Sequence, residues 1–594
     1  MTTERGYEFR ENSLTRPDVR GRDMVVSCGH YLASLAGMRM RELGGNAIDA
    51  GVSMVFCQTL LESKACGFGG EAPILIHSAE SGKTYAINGN TTAPLAATRK
   101  FFLDKGILMI PGDGFLPAGV PAVPGALITA LSRFGRLSLA KVLEPAIQLA
   151  ENGFPVYQGF RDALTSCNDR FRDEWPSSAR LYLPDGKVPE TGELFMNKDL
   201  AETFRTLVKA EADNLGKGRE KALQAARDAF YLGDIAARIV AFQAKTHVRD
   251  ANGTVSNGLL TEEDFSRYET RIEETFSVEY KGLTVHKAGF WSQGPVFLQQ
   301  LNLLKHFNLD GMDPLGHEYI HTVVEVSKLA FADREKYYGD PEHADVPERG
   351  LLSMEYAEER SRMVDASKAS LELLPGNPYP YQSSPFIPET GNVKGSPWQG
   401  GTTGTRAVDA EGNMFSATPS GGWLQSSPVI EGLGFCLGTR CQMFWLEDDR
   451  HPNALEPGKR PRTTLTPTLV TRDGRPHMVF GTPGGDNQDQ WNLQFFLNTV
   501  HFGMGIQQAI DFPCFQSVHF PSSFYPRIAQ PGRILIEGRF PQDTLEQLEA
   551  KGHNVEKTGD WSQGFTTAVA YDPDRKVITG GASSRYPTNY ALGW

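Results

Sequence analysis

Gly400-Gly401-Thr402-Thr403-Gly404-Thr405 carries the residue types needed to make a nucleophile by cutting the backbone. That chemistry requires a Thr, Ser or Cys whose preceding peptide bond is broken, so that the side chain attacks and the freed α-amine serves as the adjacent base. An unperturbed α-amine titrates at about 7.7–8.0, close to working pH, so it takes and returns a proton without a histidine. Gly400 and Gly401 lack a Cβ and reach backbone conformations other residues avoid, which brings a strained scissile bond at Gly401-Thr402 within reach. Taken alone, the six residues also suit an ordinary loop, and the rest of the chain decides between the two.

Two further stretches have chemistry-bearing spacing. Gly481-Thr482-Pro483-Gly484-Gly485-Asp486 stands between a strand pattern and a helix pattern. A Gly pair at such a turn offers two bare N–H groups aimed at one point, as an oxyanion hole requires. His317-Glu318-Tyr319-Ile320-His321 is a literal HExxH on a helical pattern, the spacing that puts two imidazoles on one face for zinc with a Glu beside them as base. A zinc peptidase is therefore the rival reading. Its third ligand would have to come from Glu325, Glu335 or Glu342, because the next turn supplies no further His. Two nucleotide motifs fail on context: Gly67-x-Gly69-x-x-Ala72 leaves a helix and enters a strand, and Gly82-Lys83-Thr84 has His77 where a phosphate loop needs Gly.

The elements that must position these residues follow from periodicity and punctuation. A short buried strand is expected at 24–27 and a helix at 32–43 stopped by Gly44-Gly45, with Asn46 capping a second helix over 47–61. A hairpin joins 73–76 to 84–87, helical pattern covers 121–152, and charged amphipathic helices occupy 190–245. Thr261-x-x-Asp264 starts another helix, strands are expected at 275–280 and 283–286, and helices at 317–338 and 351–364. Residues 366–401 show no periodicity and hold six prolines, a long loop that ends at the candidate cleavage site. Beyond it the texture is β-rich, with hairpins at 405–408/414–418, 468–471/477–480 and 565–571/577–579. The first of these holds Thr402 at the mouth of a strand.

Length and charge bound the answer. With 594 residues core burial is not limiting, and a net charge of −12 without a basic, aromatic-interleaved run argues against nucleic acid or an anionic membrane as partner. Residues 1–24 read as a polar tail of mixed charge, with no apolar core for a secretory signal, and no later stretch is long and apolar enough to span a membrane. Seven cysteines, an odd number without CxxC spacing, fit reduced thiols, so a cytoplasmic location is expected.

Four features then stand in one order: Gly45-Asn46-Ala47-x-Asp49-Ala50; Ala332-Asp333-Arg334 with Gly339-Asp340-Pro341; Thr402-Thr403 followed by Val408-Asp409-x-x-Gly412-Asn413; and Lys459-Arg460-Pro461 with Thr466-Pro467-Thr468 leading to Pro483-Gly484-Gly485. In this the chain resembles the gamma-glutamyltransferase family of N-terminal-nucleophile enzymes, from about Val25 to Trp594. The resemblance implies an α+β fold, a four-layer αββα sandwich, made as one continuous domain that cuts itself between Gly401 and Thr402 into a large fragment 1–401 and a small fragment 402–594. It implies Thr402 as nucleophile and base, Ser420 as the hydroxyl that orients it, Gly484 and Gly485 as oxyanion donors, and Thr463 and Thr464 in place of a Ser-Ser pair that binds the acyl group. No cofactor or metal is called for, and whether the fragment pair dimerises further is left open.

Departures from the family pattern bear on substrate. Members acting on glutathione hold the glutamyl α-carboxylate with an Arg shortly before an Ala-Pro, and Asn90 stands there in Asn90-Thr91-Thr92-Ala93-Pro94. They hold the α-amine with an Asp two residues after a Met, and Trp445 stands there after Met443-Phe444. Losing an ion pair to a desolvated substrate charge costs several kcal/mol. Arg440 and Arg462 are the expected alternative grip for one carboxylate. The function expected is a self-processing amidohydrolase/acyltransferase that cleaves a small amide with an acid-bearing acyl group. The alternatives are a true gamma-glutamyltransferase with an altered clamp and the zinc peptidase.

Overall fold

Strand side chains alternate between two destinations, and this period of two builds the architecture. In the strand Met24–Cys28, Val25 joins a core shared by two sheets, whereas Met24, Val26 and Cys28 pack on helices. Ile74 and Ile76 against Leu75, Phe415 against Met414, and Met478 and Phe480 against Val479 divide in the same way. The computed structural model describes residues 14–381 and 401–594 and is a four-layer αββα sandwich.

One seven-stranded antiparallel sheet runs Tyr590–Gly593, Met24–Cys28, Thr405–Asp409, Met414–Ala417, Ile74–Ser78, Lys83–Asn88, Arg271–Glu274. The other runs Val19–Gly21, Val577–Ala582, Thr567–Asp572, Arg475–Gly481, Thr468–Arg472, Leu283–Lys287, Phe276–Tyr280. Helices Tyr31–Glu42, Ala47–Leu61 and Val123–Phe134 cover the first sheet, with Leu139–Asn152 packed on Ala47–Leu61. Gly294–Leu304 and Gln488–Val500 cover the second, with His317–Tyr337 packed on Gly294–Leu304. Both sheets take strands from each side of Gly401-Thr402, so the two parts of the chain interleave.

Local signals hold where side chains act on nearby backbone. Asn46 accepts from the N–H groups of Ile48 and Asp49 while Asp49 accepts from Asn46, a capping box worth about 1 kcal/mol. The expectation for 121–152 needs correction, because the helix breaks between Phe134 and Leu139, where the Asp49 carboxylate accepts from the N–H groups of Arg136 and Leu137. The helix expected at 351–364 is two short ones, Glu348–Leu351 and Met354–Ser361, because Ser353 caps the second. The tail is shorter than 1–24: Val19–Gly21 pairs with Ile578 to Gly580 at a sheet edge. Of the loop 366–401, residues 382–400, including Gly400, lie outside the described residues, and Tyr379–Tyr381 forms a single turn. Among the described residues no helix is long and apolar enough to cross a membrane.

Candidate active site

Thr402 enters the strand Thr405–Asp409, which lies inside its sheet between Met24–Cys28 and Met414–Ala417. Rigid neighbours on both sides therefore set its position. An antiparallel bridge pairs Thr402 with Ser420, and the Thr403 N–H donates to the Pro419 carbonyl at 3.1 Å. Thr403 Oγ1 donates to the Glu62 carboxylate at 3.0 Å, and Gln58 Nε2 reaches both Glu62 (2.9 Å) and Thr403 (3.0 Å). Burial pushes the Glu62 carboxyl up to about 6, against the pull of those two donors.

The hydrogen-bond inventory around Ser420 assigns its proton. Arg440 Nη2 lies 2.9 Å from Ser420 Oγ and can only donate, whereas the Gly401 carbonyl oxygen, 2.7 Å away, can only accept. Ser420 therefore gives its single proton to Gly401. The Thr402 hydroxyl, 3.2 Å off, then donates to Ser420 Oγ. This leaves a lone pair of Thr402 Oγ1 free. Gly401 is a glycine for a reason other than the one expected from sequence. Its φ is not positive, and a Cβ there would stand 2.4 Å from the Lys64 carbonyl oxygen, so close backbone approach excludes any larger residue.

Gly484 and Gly485 lie at the expected strand-to-helix turn with φ of 134° and 56°. A Cβ would meet Trp491 at 2.4 Å from Gly484 and Phe524 at 2.8 Å from Gly485, so the turn admits only glycine. Among the described residues neither N–H donates to a protein acceptor. Phe524 joins Trp423 and Met443 in a small buried cluster, and the Trp423 indole N–H donates to Gly401 at 2.7 Å, so packing links the turn to the nucleophile. Gln293 ties the turn to Thr463, its side chain reaching the Gly485 and Asp486 carbonyls while its N–H donates to the Thr463 carbonyl at 2.9 Å. Thr463 Oγ1 accepts from Leu465 N–H, whereas the buried Thr464 hydroxyl has no partner among the described residues.

Both arginines differ from expectation. Arg440 is 1% exposed and lies 3.1 Å from Glu71, and Arg462 lies 3.0 Å from Glu335 within a network that includes Arg334 and Asp486. A buried guanidinium without a counter-charge would be costly, and internal carboxylates already neutralise both. The free two-arginine grip is therefore corrected to two structural pairs, and among the described residues Arg440 Nη1 has no hydrogen-bond partner. Against their burial, Arg462 and Arg334 hold Glu335 below the usual carboxylate range, and Arg334 with Ser523 does the same for Asp486, which fixes Asp486 directly after the glycine pair. Asn90 is buried and donates to the Pro461 carbonyl at 2.7 Å. Trp445 stacks on His451 beneath the Arg527 guanidinium.

The HExxH pattern sits on a helix, but its parts separate. Among the described residues, the His and acidic side chains close enough to share an ion are His321, Glu325 and His553, without His317 or Glu318. His321 donates through Nε2 to the Asp365 carbonyl and accepts at Nδ1 from His553, and Lys328 lies 2.6 Å from Glu325. His321 and Glu325 are thus spent on protein partners, one of them a cation, and among the described residues only His553 Nδ1 of the three is left without a partner.

Sequence reasoning missed Gln58, Glu62, Glu71 and Trp423. Each lies far along the chain from its partner or carries no motif; the Gly421-Gly422 pair just before Trp423 is the one local signal that could have pointed to it.

The gamma-glutamyltranspeptidase family model matches residues 33–592. The chain belongs to this family. It is 32% identical over 567 residues to the glutathione hydrolase-like YwrD proenzyme of Bacillus subtilis (strain 168), covering 95% of this chain and 97% of that one. The solved structure LmbA2991HD superposes with a TM-score of 0.92 at 40% identity, covering 98% of this chain and 100% of that one. Cephalosporin acylase from Bacillus halodurans superposes with a TM-score of 0.83 at 29% identity, covering 98% and 97%. Like other gamma-glutamyltranspeptidase-family chains it is an enzyme, an amidohydrolase/acyltransferase on an N-terminal-nucleophile fold.

Proposed function

We propose that this enzyme is made as a precursor, cuts itself between Gly401 and Thr402, and uses the freed Thr402 to cleave a small amide through an acyl-enzyme. The observation that carries this is the Thr402 hydroxyl donating to Ser420, with its own preceding carbonyl held by Ser420 and Trp423. After cleavage the Thr402 α-amine deprotonates its own hydroxyl, which attacks the substrate carbonyl. The Gly484 and Gly485 N–H groups take up the oxyanion, and water or an acceptor amine resolves the ester. The Thr464 hydroxyl, unpartnered among the described residues, is a polar group available to the acyl chain.

On the substrate side, neutral Asn90 and Trp445 at the clamp positions favour an acyl group without a free amino-acid end, and Arg440 Nη1 is the donor left for an acidic substituent. The likeness to a cephalosporin acylase supports an acylase reading, beside the likeness to a glutathione hydrolase-like proenzyme. Seven unpaired cysteines support a reducing compartment such as the cytoplasm. The interleaved strands support a large and small fragment that stay together after cleavage.

Intact mass and N-terminal sequencing of wild type beside Thr402→Ala test the reading. Wild type is expected to yield a fragment beginning Thr402-Thr403-Gly404 while Thr402→Ala stays whole and inactive. A wild-type chain that remains whole on prolonged incubation overturns it.

A further inference from the structure

The Gly401 carbonyl oxygen is held by two short hydrogen bonds from buried side chains, Ser420 Oγ at 2.7 Å and Trp423 Nε1 at 2.7 Å. We propose that Trp423 is a catalytic residue of the self-cleavage, its indole N–H forming with the Ser420 hydroxyl an oxyanion hole for Gly401 that is separate from the Gly484-Gly485 turn. This rests on the reading that Gly401-Thr402 is the bond cut.

Three observations carry it. An indole N–H only donates, so it cannot serve as base or proton carrier, and charge stabilisation is the role open to it. Both donors already stand within 2.7–3.1 Å, the range an oxyanion requires. The assembly is also rigid and electropositive. Trp423 shares its N–H with the Ala65 carbonyl at 2.8 Å, lies 6.4 Å from the Phe524 ring and sits under the Arg440 guanidinium at 5.5 Å. Arg440 in turn donates to Ser420 Oγ, which strengthens the Ser420 O–H as a donor, and Glu71 balances the arginine charge.

The step balances as an N-to-O acyl shift. Thr402 Oγ1 bonds to the Gly401 carbonyl carbon, and the carbonyl π pair moves to the Gly401 oxygen between the two donors. The Thr402 hydroxyl proton is transferred to the Thr402 nitrogen as the C–N bond breaks, while Ser420 keeps its own proton directed at the Gly401 oxygen. Water then hydrolyses the ester, giving the Gly401 carboxylate and restoring the Thr402 hydroxyl.

The test follows release of the 402–594 fragment from pulse-labelled, freshly synthesised full-length chain. Placing 3-benzothienylalanine at position 423 keeps the ring shape and removes the N–H, and is expected to slow release about 100-fold, the effect of losing one oxyanion donor. Hydroxylamine, which intercepts an ester, is expected not to restore the rate, because the shift itself is slowed. Trp423→His, which keeps an N–H, is expected to cut faster than Trp423→Phe, with unfolding midpoints compared to uncut Thr402→Ala. An isostere that releases the fragment at the wild-type rate, rescue by hydroxylamine, or equal rates for His and Phe overturns the proposal. Each of these leaves the cleavage reading standing, whereas a wild-type chain that never yields Thr402 at a new N-terminus overturns that reading instead.

Discussion

A carboxyl buried beside a nucleophile changes how stability depends on pH, and Glu62 is the instance here. Burial raises its folded-state titration from the ordinary 4.5 to about 6. A carboxyl raised on folding favours the protonated native state, so its contribution is fully present below about 4.5 and is lost as pH rises through about 6. At about 1.4 kcal/mol per pH unit of displacement, the loss amounts to about 2 kcal/mol above that window. Glu62→Gln, which keeps an acceptor for Thr403 and Gln58, is therefore expected to add about 2 kcal/mol at pH 7.5 and almost nothing at pH 4.5. Urea unfolding at the two pH values checks this, and an equal change at both would show that folding does not raise the Glu62 carboxyl.

In the proposed mechanism the turn between the strand Arg475–Gly481 and the helix Gln488–Val500 is the element on which substrate chemistry depends. Its glycine pair is pinned on one side by Trp491 and Phe524 and on the other by Asp486, which accepts from Arg334 and from Ser523 (2.9 Å to its N–H). Oxyanion donors act through fixed position, so small displacements are expensive. Gly484→Ala puts a Cβ at a φ of 134° and against the Trp491 ring. With the processed enzyme, kcat is expected to fall about 100-fold or more while KM changes little, measured on a chromogenic anilide. A selective rise in KM would place the turn in binding instead.

Across the whole molecule, charge accounting narrows the substrate. Arg440 is matched by Glu71, and Arg334 and Arg462 by Glu335 and Asp486, whereas among the described residues buried Arg406 and Arg527 have no carboxylate partner; at the positions that the family resemblance gives to the clamp stand neutral Asn90 and Trp445. A substrate ammonium buried there would have no counter-charge of the family kind, a cost of about 2 kcal/mol or more. Glutaryl anilide, which lacks the amine, is therefore expected to exceed gamma-glutamyl anilide in kcat/KM by about 30-fold or more. Butyryl anilide, lacking the carboxylate as well, tests whether Arg440 Nη1 contributes. Faster turnover of the gamma-glutamyl compound would restore the glutathione-type reading.

What could be read from residue order was local or motif-borne. The Asn46–Asp49 cap, the alternating strands, the hairpin after Thr402 and the glycine turn at 484–485 each depend on residues a few positions apart, and all were legible. The candidate nucleophile, Ser420 and the Thr463-Thr464 pair were singled out through a motif order shared with a family. Charge partners were not. Arg440 meets Glu71 across 369 residues, and Arg462 meets Glu335 across more than a hundred, so sequence showed two free cations where packing makes neutral pairs. The same distance hid the separation of His317 from His321, which pairs with His553, and hid Trp423, whose N–H acquires its partner only when the chain around Ala65 and Gly401 converges. Local preferences act over a few residues along the chain, whereas a buried polar group takes whichever partner three-dimensional packing brings to it.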